Sequence, residues 1–252
     1  MVHTPDARPT DQARPMHQAT QQTLADGGYA VCFSGGKDSM LALDRAVRSG
    51  LRVTRLVTLY DEASERVRFH AVPVAVMRAQ GAALGLPLRL YPTTPASFEA
   101  VFLSALADLR ADGISGVIFG NIHLADVRAW YEERVRAAGL DHVEPIWGEP
   151  PDRLVREVLA RGYTAMLTCV EEAKAERDWL GQQLSEELIA AFERRGIDCC
   201  GEYGEYHTLV TDGPLFRWPL AVRWGGIRVE PDLPPEQRFC QLDVSVDAPA
   251  EP

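Results

Sequence analysis

Residues 31–40 read VCFSGGKDSM: an apolar run passes into Ser34-Gly35-Gly36-Lys37-Asp38-Ser39, and an apolar helical pattern begins at once. A strand that feeds a helix through small residues exposes successive backbone N–H groups at the helix start. There the orphan donors and the helix dipole both favour an anion. Gly35 and Gly36 let the backbone bend and come close to that anion. Lys37 adds a mobile positive charge, Ser34 and Ser39 add hydroxyls, and Asp38 or Ser39 can cap the helix. The ligand this suits is a phosphate or pyrophosphate group. A Walker A loop does not fit, because Val31 stands where its first glycine belongs and Asp38 replaces its Ser/Thr. The G-x-G-x-x-G fingerprint is absent too, since Gly35 and Gly36 are adjacent.

Outward from this stretch, strand-like apolar runs alternate with helical patterns. Strands are expected over 28–33, 51–60, 86–91, 114–120 and 142–147. Helices are expected between them over 39–49, 71–84 (with Pro73 in its first turn), 97–110 and 125–138. Such alternation predicts an α/β fold with a doubly wound parallel sheet. Ligands of such sheets lie beyond the carboxyl ends of the strands. Ser34–Ser39, Tyr60–Glu62, Gly120–Asn121 and the end of the fifth strand are therefore expected to gather there. From residue 148 the pattern changes to helices over 150–161 and 184–195, a strand over 162–170, a loop at 198–206 and later strands over 206–212, 220–229 and 238–246. This predicts a phosphate-loop domain over 27–147 and a smaller α+β domain over 148–247. A flexible tail over 1–26 and a loose tail over 248–252 flank them.

Composition limits the partners. The 252 residues carry 36 acids against 26 bases, a net charge of −10, which argues against a broad grip on nucleic acid. The five cysteines are odd in number and form no C-x-x-C pair, so reduced thiols in a cytosolic protein are expected. The first 25 residues are rich in Pro, Gln, Thr and Ala and lack the apolar core of a signal peptide. The apolar runs are too short to cross a bilayer. A cytoplasmic protein with no membrane contact is expected.

SGGKDS after the first strand resembles the PP-loop of the ATP pyrophosphatase superfamily, whose adenine nucleotide alpha hydrolase-like domains hold the β/γ-phosphates while ATP is split into AMP and pyrophosphate. Later motifs follow in order: RFHAV (68–72), FGNI (119–122) with Arg128 downstream, PIWG (145–148), WLGQQLSEELI (179–189) and CGEYGEYHTLVTDGPLF (200–216). Together they resemble the diphthine–ammonia ligase family, in particular its bacterial-type members, over about residues 28–217. The last motif is the most specific, and this chain keeps its Glu202, Gly204, Glu205, Asp212, Pro214 and Phe216. It departs at Tyr203, where eukaryotic and archaeal members carry Gly, and at His207, where they carry Glu. Asn121 stands where the family often has Asp.

The resemblance implies ATP and Mg²⁺ as cofactors, and an enzyme that adenylates a carboxylate and amidates it with ammonia or another amine. It implies nucleotide contacts from Ser34, Gly35, Gly36, Lys37, Asp38, Ser39, His70, Gly120 and Asn121. Lys37 and the loop amides would stabilise the leaving pyrophosphate. Glu202 and Glu205 lie three apart on a glycine-punctuated loop, with His207 close by. These carboxylates suit Mg²⁺ or an amine nucleophile, and His207 suits a proton acceptor; no residue is assigned as a dedicated metal ligand. His70 reads equally as a nucleotide contact or a satisfied core histidine, and Asn121 as a nucleotide or substrate contact. Trp130, Trp147 and Trp179 read as core or interface residues, and Arg128 as part of a solvated face. Two other readings stay open: a tRNA-modifying PP-loop enzyme, and an ATP or AMP sensor without turnover. The expected partners are ATP and a carboxylate on a small molecule or a protein side chain. The sequence names neither that carboxylate nor the oligomeric state.

Overall fold

A computed structural model describes residues 27–68, 70–229 and 238–246, so the expected tails over 1–26 and 248–252 lie outside it. The opening apolar run forms β1 (Tyr29–Cys32), and the phosphate loop leads into α1 (Lys37–Arg48). There follow β2 (Val53–Asp61), the two-residue β3 (Arg66–Val67), α2 (Val74–Leu84), β4 (Leu88–Thr93) and α3 (Phe98–Ala111). β5 (Gly116–Ile118), α4 (Ala125–Ala137) and β6 (Asp141–Val143) complete the first sheet. Its parallel strands lie in the order β4, β2, β1, β5, β6, with β3 pairing antiparallel to the last two residues of β2. The order reverses between β1 and β5, which makes the crevice between their carboxyl ends the topological switch point.

Alternating side chains sort the two faces. Ala30, Val57 and Val117 turn toward Phe102, Leu106 and Leu109 of α3 and Val135 of α4. Their neighbours Val31, Leu56 and Ile118 turn the other way, toward Met40 and Leu43 of α1 and Val76 of α2. Burying each such aliphatic side chain is worth about 1.5–3 kcal/mol.

The rest of the chain covers that second helical layer. It comprises α5 (Pro151–Ala160), β7 (Thr164–Glu171), α6 (Glu186–Arg195), β8 (Tyr206–Asp212), β9 (Val222–Val229) and β10 (Phe239–Val246). The four strands form an antiparallel sheet in the order β8, β7, β10, β9. α1 packs on β8 and α2 on β10, so the two helices lie between the sheets. One apolar cluster runs through from Val31 and Met40 to Leu167 and Val210. Asp44, fully buried on α1, accepts from the Tyr163 hydroxyl at 2.8 Å and Arg48 Nε at 2.9 Å, and also meets Arg161.

Several boundaries differ from the sequence reading, three of them instructively. The second helix begins at Val74 rather than residue 71, with Pro73 as its N-cap. Ala71 takes a left-handed φ of 58°, which closes the hairpin of β3 instead of opening a helix. The fifth parallel strand stops at Val143 rather than 147. Pro145 has no N–H to give a ladder, and the chain turns there. The expected third strand, 86–91, runs over 88–93. Among the described residues, no helix is long and apolar enough to cross a membrane.

Candidate active site

The switch point opens on a cavity of about 490 Å³, within the range of about 300–1,000 Å³ usual for small-molecule sites. The phosphate loop forms its floor. Gly35 sits at φ +80°, a conformation L side chains rarely adopt. Its carbonyl accepts from the Val210 N–H at 2.9 Å and from Gln80 Nε2 at 3.0 Å. The Lys37 N–H donates to Thr208 Oγ1 at 3.0 Å, so β8 holds the loop from the far sheet. The hydroxyls of Ser34 and Ser39, 3.2 Å apart, belong to the cavity wall. The first turn of α1 gives the Asp38 and Ser39 amides no intrahelical acceptor. Gly120, at the end of β5, lies so close that a Cβ there would stand 2.8 Å from the Ser39 nitrogen. Open amides, paired hydroxyls and a cradle that one methyl would fill suit a chain of phosphates.

Lys37 lies elsewhere than the sequence suggests. Its side chain is 2% exposed and forms no part of the cavity wall. Nζ donates to the Cys200 carbonyl, and to Asp38 Oδ2 at 2.9 Å, and stands 4.6 Å from the centre of the Tyr206 ring. Instead of projecting as a mobile cation, it joins the phosphate loop to loop 198–206.

Asp198 organises that loop. Its Oδ1 accepts from the Cys200 N–H at 2.7 Å and the Glu202 N–H at 3.5 Å, an Asx-type turn. Its Oδ2 lies 3.5 Å from His123 Nε2. The loop delivers Glu202 to the cavity, where Oε1 accepts from the Ile122 N–H at 3.0 Å. Burial, and secondarily the Asp38 carboxylate, raise the Glu202 pKa to about 7. Burial likewise raises Asp38, against the pull of Lys37. Glu205 separates from this pair. It is 4% exposed, accepts from the Asp198 N–H at 3.3 Å, and contributes nothing to the cavity wall.

His70 and His207 both reach the cavity, their ring centres 4.6 Å apart. His70 Nδ1 lies 3.2 Å from the Thr208 carbonyl, which can only accept, so Nδ1 carries the proton of the neutral ring. Burial, helped by the charge of Lys37, lowers the His70 pKa to about 4. Burial, then His70 and Lys37, hold His207 well below the ordinary value. Asn121 lines the cavity while its Nδ2 donates to Glu144 Oε1 at 2.7 Å. Arg128 is half-buried rather than fully solvated. Its Nε stands 2.9 Å from Glu144 Oε2, and its guanidinium lies over Trp147 at 4.5 Å. Trp179 is buried against Phe192, and Trp130 packs on Phe102.

The turn at Tyr60–Glu62 does not join the cavity, which receives Leu59 instead. Asp61 is occupied by the Ser64 N–H and hydroxyl at 2.9 and 2.7 Å. Sequence reasoning missed the apolar wall of Leu59, Phe98, Phe119 and Tyr131, and also Arg68. RFHAV had flagged Arg68 only as a motif letter, and nothing in the helical periodicity distinguishes Phe98 or Tyr131 from core residues. Flat apolar walls beside a phosphate cradle suit a nucleobase.

Residues 27–142 match the family model described as the diphthamide synthase N-terminal domain, and residues 150–232 the one described as its C-terminal domain. The chain belongs to the diphthine–ammonia ligase family. Family membership makes it an ATP-dependent ligase. Among curated relatives, the diphthine–ammonia ligase of Rattus norvegicus is 26% identical over 219 residues, 77% of this chain and 82% of the relative. That of Danio rerio is 28% identical over 215 residues, 75% and 84% of the two chains. The Schizosaccharomyces pombe ligase is 26% identical over 207 residues, 73% of this chain but 34% of its own length.

Among the described residues, no group of three or more His, Cys, Asp or Glu could hold a metal ion by itself. Mg²⁺ carried on nucleotide phosphates needs only one or two protein carboxylates. Asp38, at the start of α1 and on the cavity wall, fits that requirement.

Proposed function

We propose that this ligase adenylates a carboxylate at the expense of ATP and transfers the acyl group to ammonia or another amine. The observation that carries the reading is that the start of α1 and the Glu202 carboxylate open on one cavity. Bound ATP supplies an electrophilic α-phosphorus and a pyrophosphate leaving group. The α1 amides, with the Ser34 and Ser39 hydroxyls, would hold the phosphates, and Asp38 would share the Mg²⁺. The apolar wall would take the base.

Glu202 is the residue with a proton to handle. A carboxylate with a pKa of about 7 is poised between ionised and protonated forms at neutral pH. Ionised, it accepts an N–H of ammonia or a primary amine and takes the proton that nitrogen sheds as it bonds to the acyl carbon, whose bond to the adenylate oxygen breaks to release AMP. The Ile122 N–H fixes one oxygen, leaving the other for this task. His70 and His207, kept neutral, add acceptors for the same amine without adding charge. Loop 198–206, tied down by Lys37 and Asp198, lies across the site and limits access of water.

The curated relatives are named for diphthine and ammonia. For this chain we take ammonia as the nitrogen donor and leave the carboxylate to experiment. Pyrophosphate release from MgATP, measured with ammonium and fractionated carboxylates, tests the reading. Wild type should release pyrophosphate and AMP with an active fraction. Glu202→Gln should retain carboxylate-dependent ATP–pyrophosphate exchange but form amide at least about 100-fold more slowly. Tight ATP binding with no pyrophosphate from any fraction would instead favour a nucleotide sensor.

A further inference from the structure

Residues 119–122 run along one side of the cavity, and each serves a different part of it. Phe119 belongs to the apolar wall, and Gly120 packs on the backbone of Asp38 and Ser39 at the start of α1. The Ile122 N–H holds Glu202. Asn121, between Gly120 and Ile122, lines the cavity as well. The segment is pinned at both ends. The Phe119 N–H donates to the Val143 carbonyl at 2.9 Å, and the Gly148 N–H to the Ile122 carbonyl at 2.7 Å.

Glu144 sets the direction of the Asn121 amide. Nδ2 donates to Glu144 Oε1 at 2.7 Å. A carboxylate offers only acceptors, so the NH₂ end must face it and Oδ1 must turn away. Among the described residues this is the only hydrogen bond of the Asn121 side chain, so Oδ1 is left as an unused acceptor at the cavity. Glu144 is itself held. Its side chain is 2% exposed, with Arg128 Nε 2.9 Å from Oε2 and His142 Nε2 3.4 Å from Oε1. The His142 ring in turn lies 5.0 Å from that of Phe119. Burial raises the Glu144 pKa, and the Asn121 bond and the Arg128 charge oppose that rise, favouring the ionised, accepting form.

An acceptor beside both a base wall and a phosphate cradle has a natural counterpart in a nucleotide. The sugar joins the base to the phosphates, and its hydroxyls can donate. We propose that Asn121 Oδ1, oriented by Glu144, accepts a hydrogen bond from a ribose hydroxyl and so selects ribonucleotides over deoxyribonucleotides. Asn121 is then the specificity-determining contact, and Glu144 a positioning residue that acts through it. The exocyclic amine of adenine fits less well, because it lies at the edge of the base remote from the phosphates, whereas Asn121 adjoins the glycine that packs on the phosphate loop. The inference rests on the nucleotide reading of the cavity.

The test measures calorimetric dissociation constants of ATP, 2′-deoxyATP, 3′-deoxyATP and inosine triphosphate, each with Mg²⁺, on the full chain. In wild type at least one deoxy analogue should bind about three- to tenfold more weakly than ATP, the loss expected for one neutral hydrogen bond. In Asn121→Ala that ratio should fall to within about twofold, with ATP weakened and the analogue hardly changed. Glu144→Gln should act likewise. Arg128 only donates, so it takes the new side chain's oxygen; the new amide NH₂ then faces Asn121, which turns over and withdraws Oδ1 from the cavity. A ratio between two ligands on one protein does not depend on the folded fraction, and the wild-type comparison needs no variant. Equal affinities for ATP and both deoxy analogues in wild type would overturn the proposal, as would a ratio that survives Asn121→Ala. A ratio lost in Asn121→Ala but kept in Glu144→Gln would overturn the role given to Glu144. An Asn121-dependent penalty on inosine triphosphate, with none on either deoxy analogue, would assign Oδ1 to the base amine instead. No binding of ATP at all would sink the nucleotide reading itself, a failure distinct from binding without discrimination.

Discussion

The Lys37 ammonium closes on the Cys200 backbone carbonyl, joining residues 163 positions apart in the chain. The bond lies inside the interface between the phosphate loop and loop 198–206, with the Tyr206 ring beneath it. The charge that a sequence reading assigns to ATP thus binds the two halves of the site to each other. Removing it leaves Asp38 without its cation and the Cys200 carbonyl without its donor. Breaking a buried pair by deleting one partner costs about 3–5 kcal/mol. Lys37→Met should therefore lower the denaturant midpoint markedly, while the folded fraction binds ATP within about fivefold of wild type. Urea unfolding and calorimetric titration with ATP measure the two effects. A large loss of ATP affinity at unchanged stability would return Lys37 to the phosphates.

Gly120 and Gly36 should respond differently to alanine. At Gly120 the three nearest atoms to an added Cβ are all backbone of Asp38 and Ser39, at 2.8–2.9 Å. Neither chain can yield without moving the start of α1. At Gly36 the nearest atom is His70 Cε1 at 2.6 Å, on a ring that can swing, with the Thr208 carbonyl at 3.0 Å. Gly120→Ala should cost about 1–3 kcal/mol of overpacking and abolish measurable ATP binding. Gly36→Ala should bind ATP more weakly than wild type but still detectably. Equal behaviour of the two variants would argue against a nucleotide seated where Gly120 meets α1.

Much of this was legible because local chemistry and tertiary role coincide. The run through Val31 and the SGGKDS turn identify a first strand and an anion-binding helix start, and the alternation to Val143 identifies the parallel sheet. The loop at 198–206 was visible in the glycine spacing. What was hidden depends on contacts far apart in sequence. Nothing near Lys37 reveals that the Cys200 carbonyl will accept its hydrogen bond, and nothing near Gln80 reveals that it bridges the carbonyls of Gly35 and Val210. Glu202 and Glu205 look equivalent on paper. Only the Asx turn of Asp198 sends one into the cavity and the other into the loop's interior.

Glu202 should trade stability for its position. Its folded pKa, about 7, lies above the ordinary carboxylate value of about 4.3. A raised pKa means that the folded state binds the proton more tightly, so this contribution is full below about pH 4.3 and is lost as pH rises through 7. Glu202→Gln, which cannot ionise, should be as stable as wild type near pH 4 and more stable at pH 8. Because the side chain is partly exposed, the gain should be about 1–2 kcal/mol rather than the full value of the shift. Urea midpoints across that range measure it. A variant destabilised at every pH would mean that the Ile122 bond, rather than the charge, dominates the residue's energetics.

His70 should give the opposite pH signature. Its folded pKa of about 4 lies below the unfolded value of about 6.5, because the buried ring resists charging beside Lys37. The unfolded state then binds the proton more tightly. Stability from the neutral ring is complete above pH 6.5 and is lost as pH falls toward 4. His207, also held below its ordinary value, acts in the same direction, whereas Glu202 opposes both across the same interval. The raw pH dependence of wild type therefore mixes signs, and only differences between variants isolate each group. His70→Asn retains a donor for the Thr208 carbonyl but cannot gain a proton. The stability difference between wild type and His70→Asn should shrink steadily as pH falls from 6.5 to 4. A parallel pair of curves would show that His70 titrates alike in both states, so the ring would be better solvated than its contact with Gly36 and Thr208 implies.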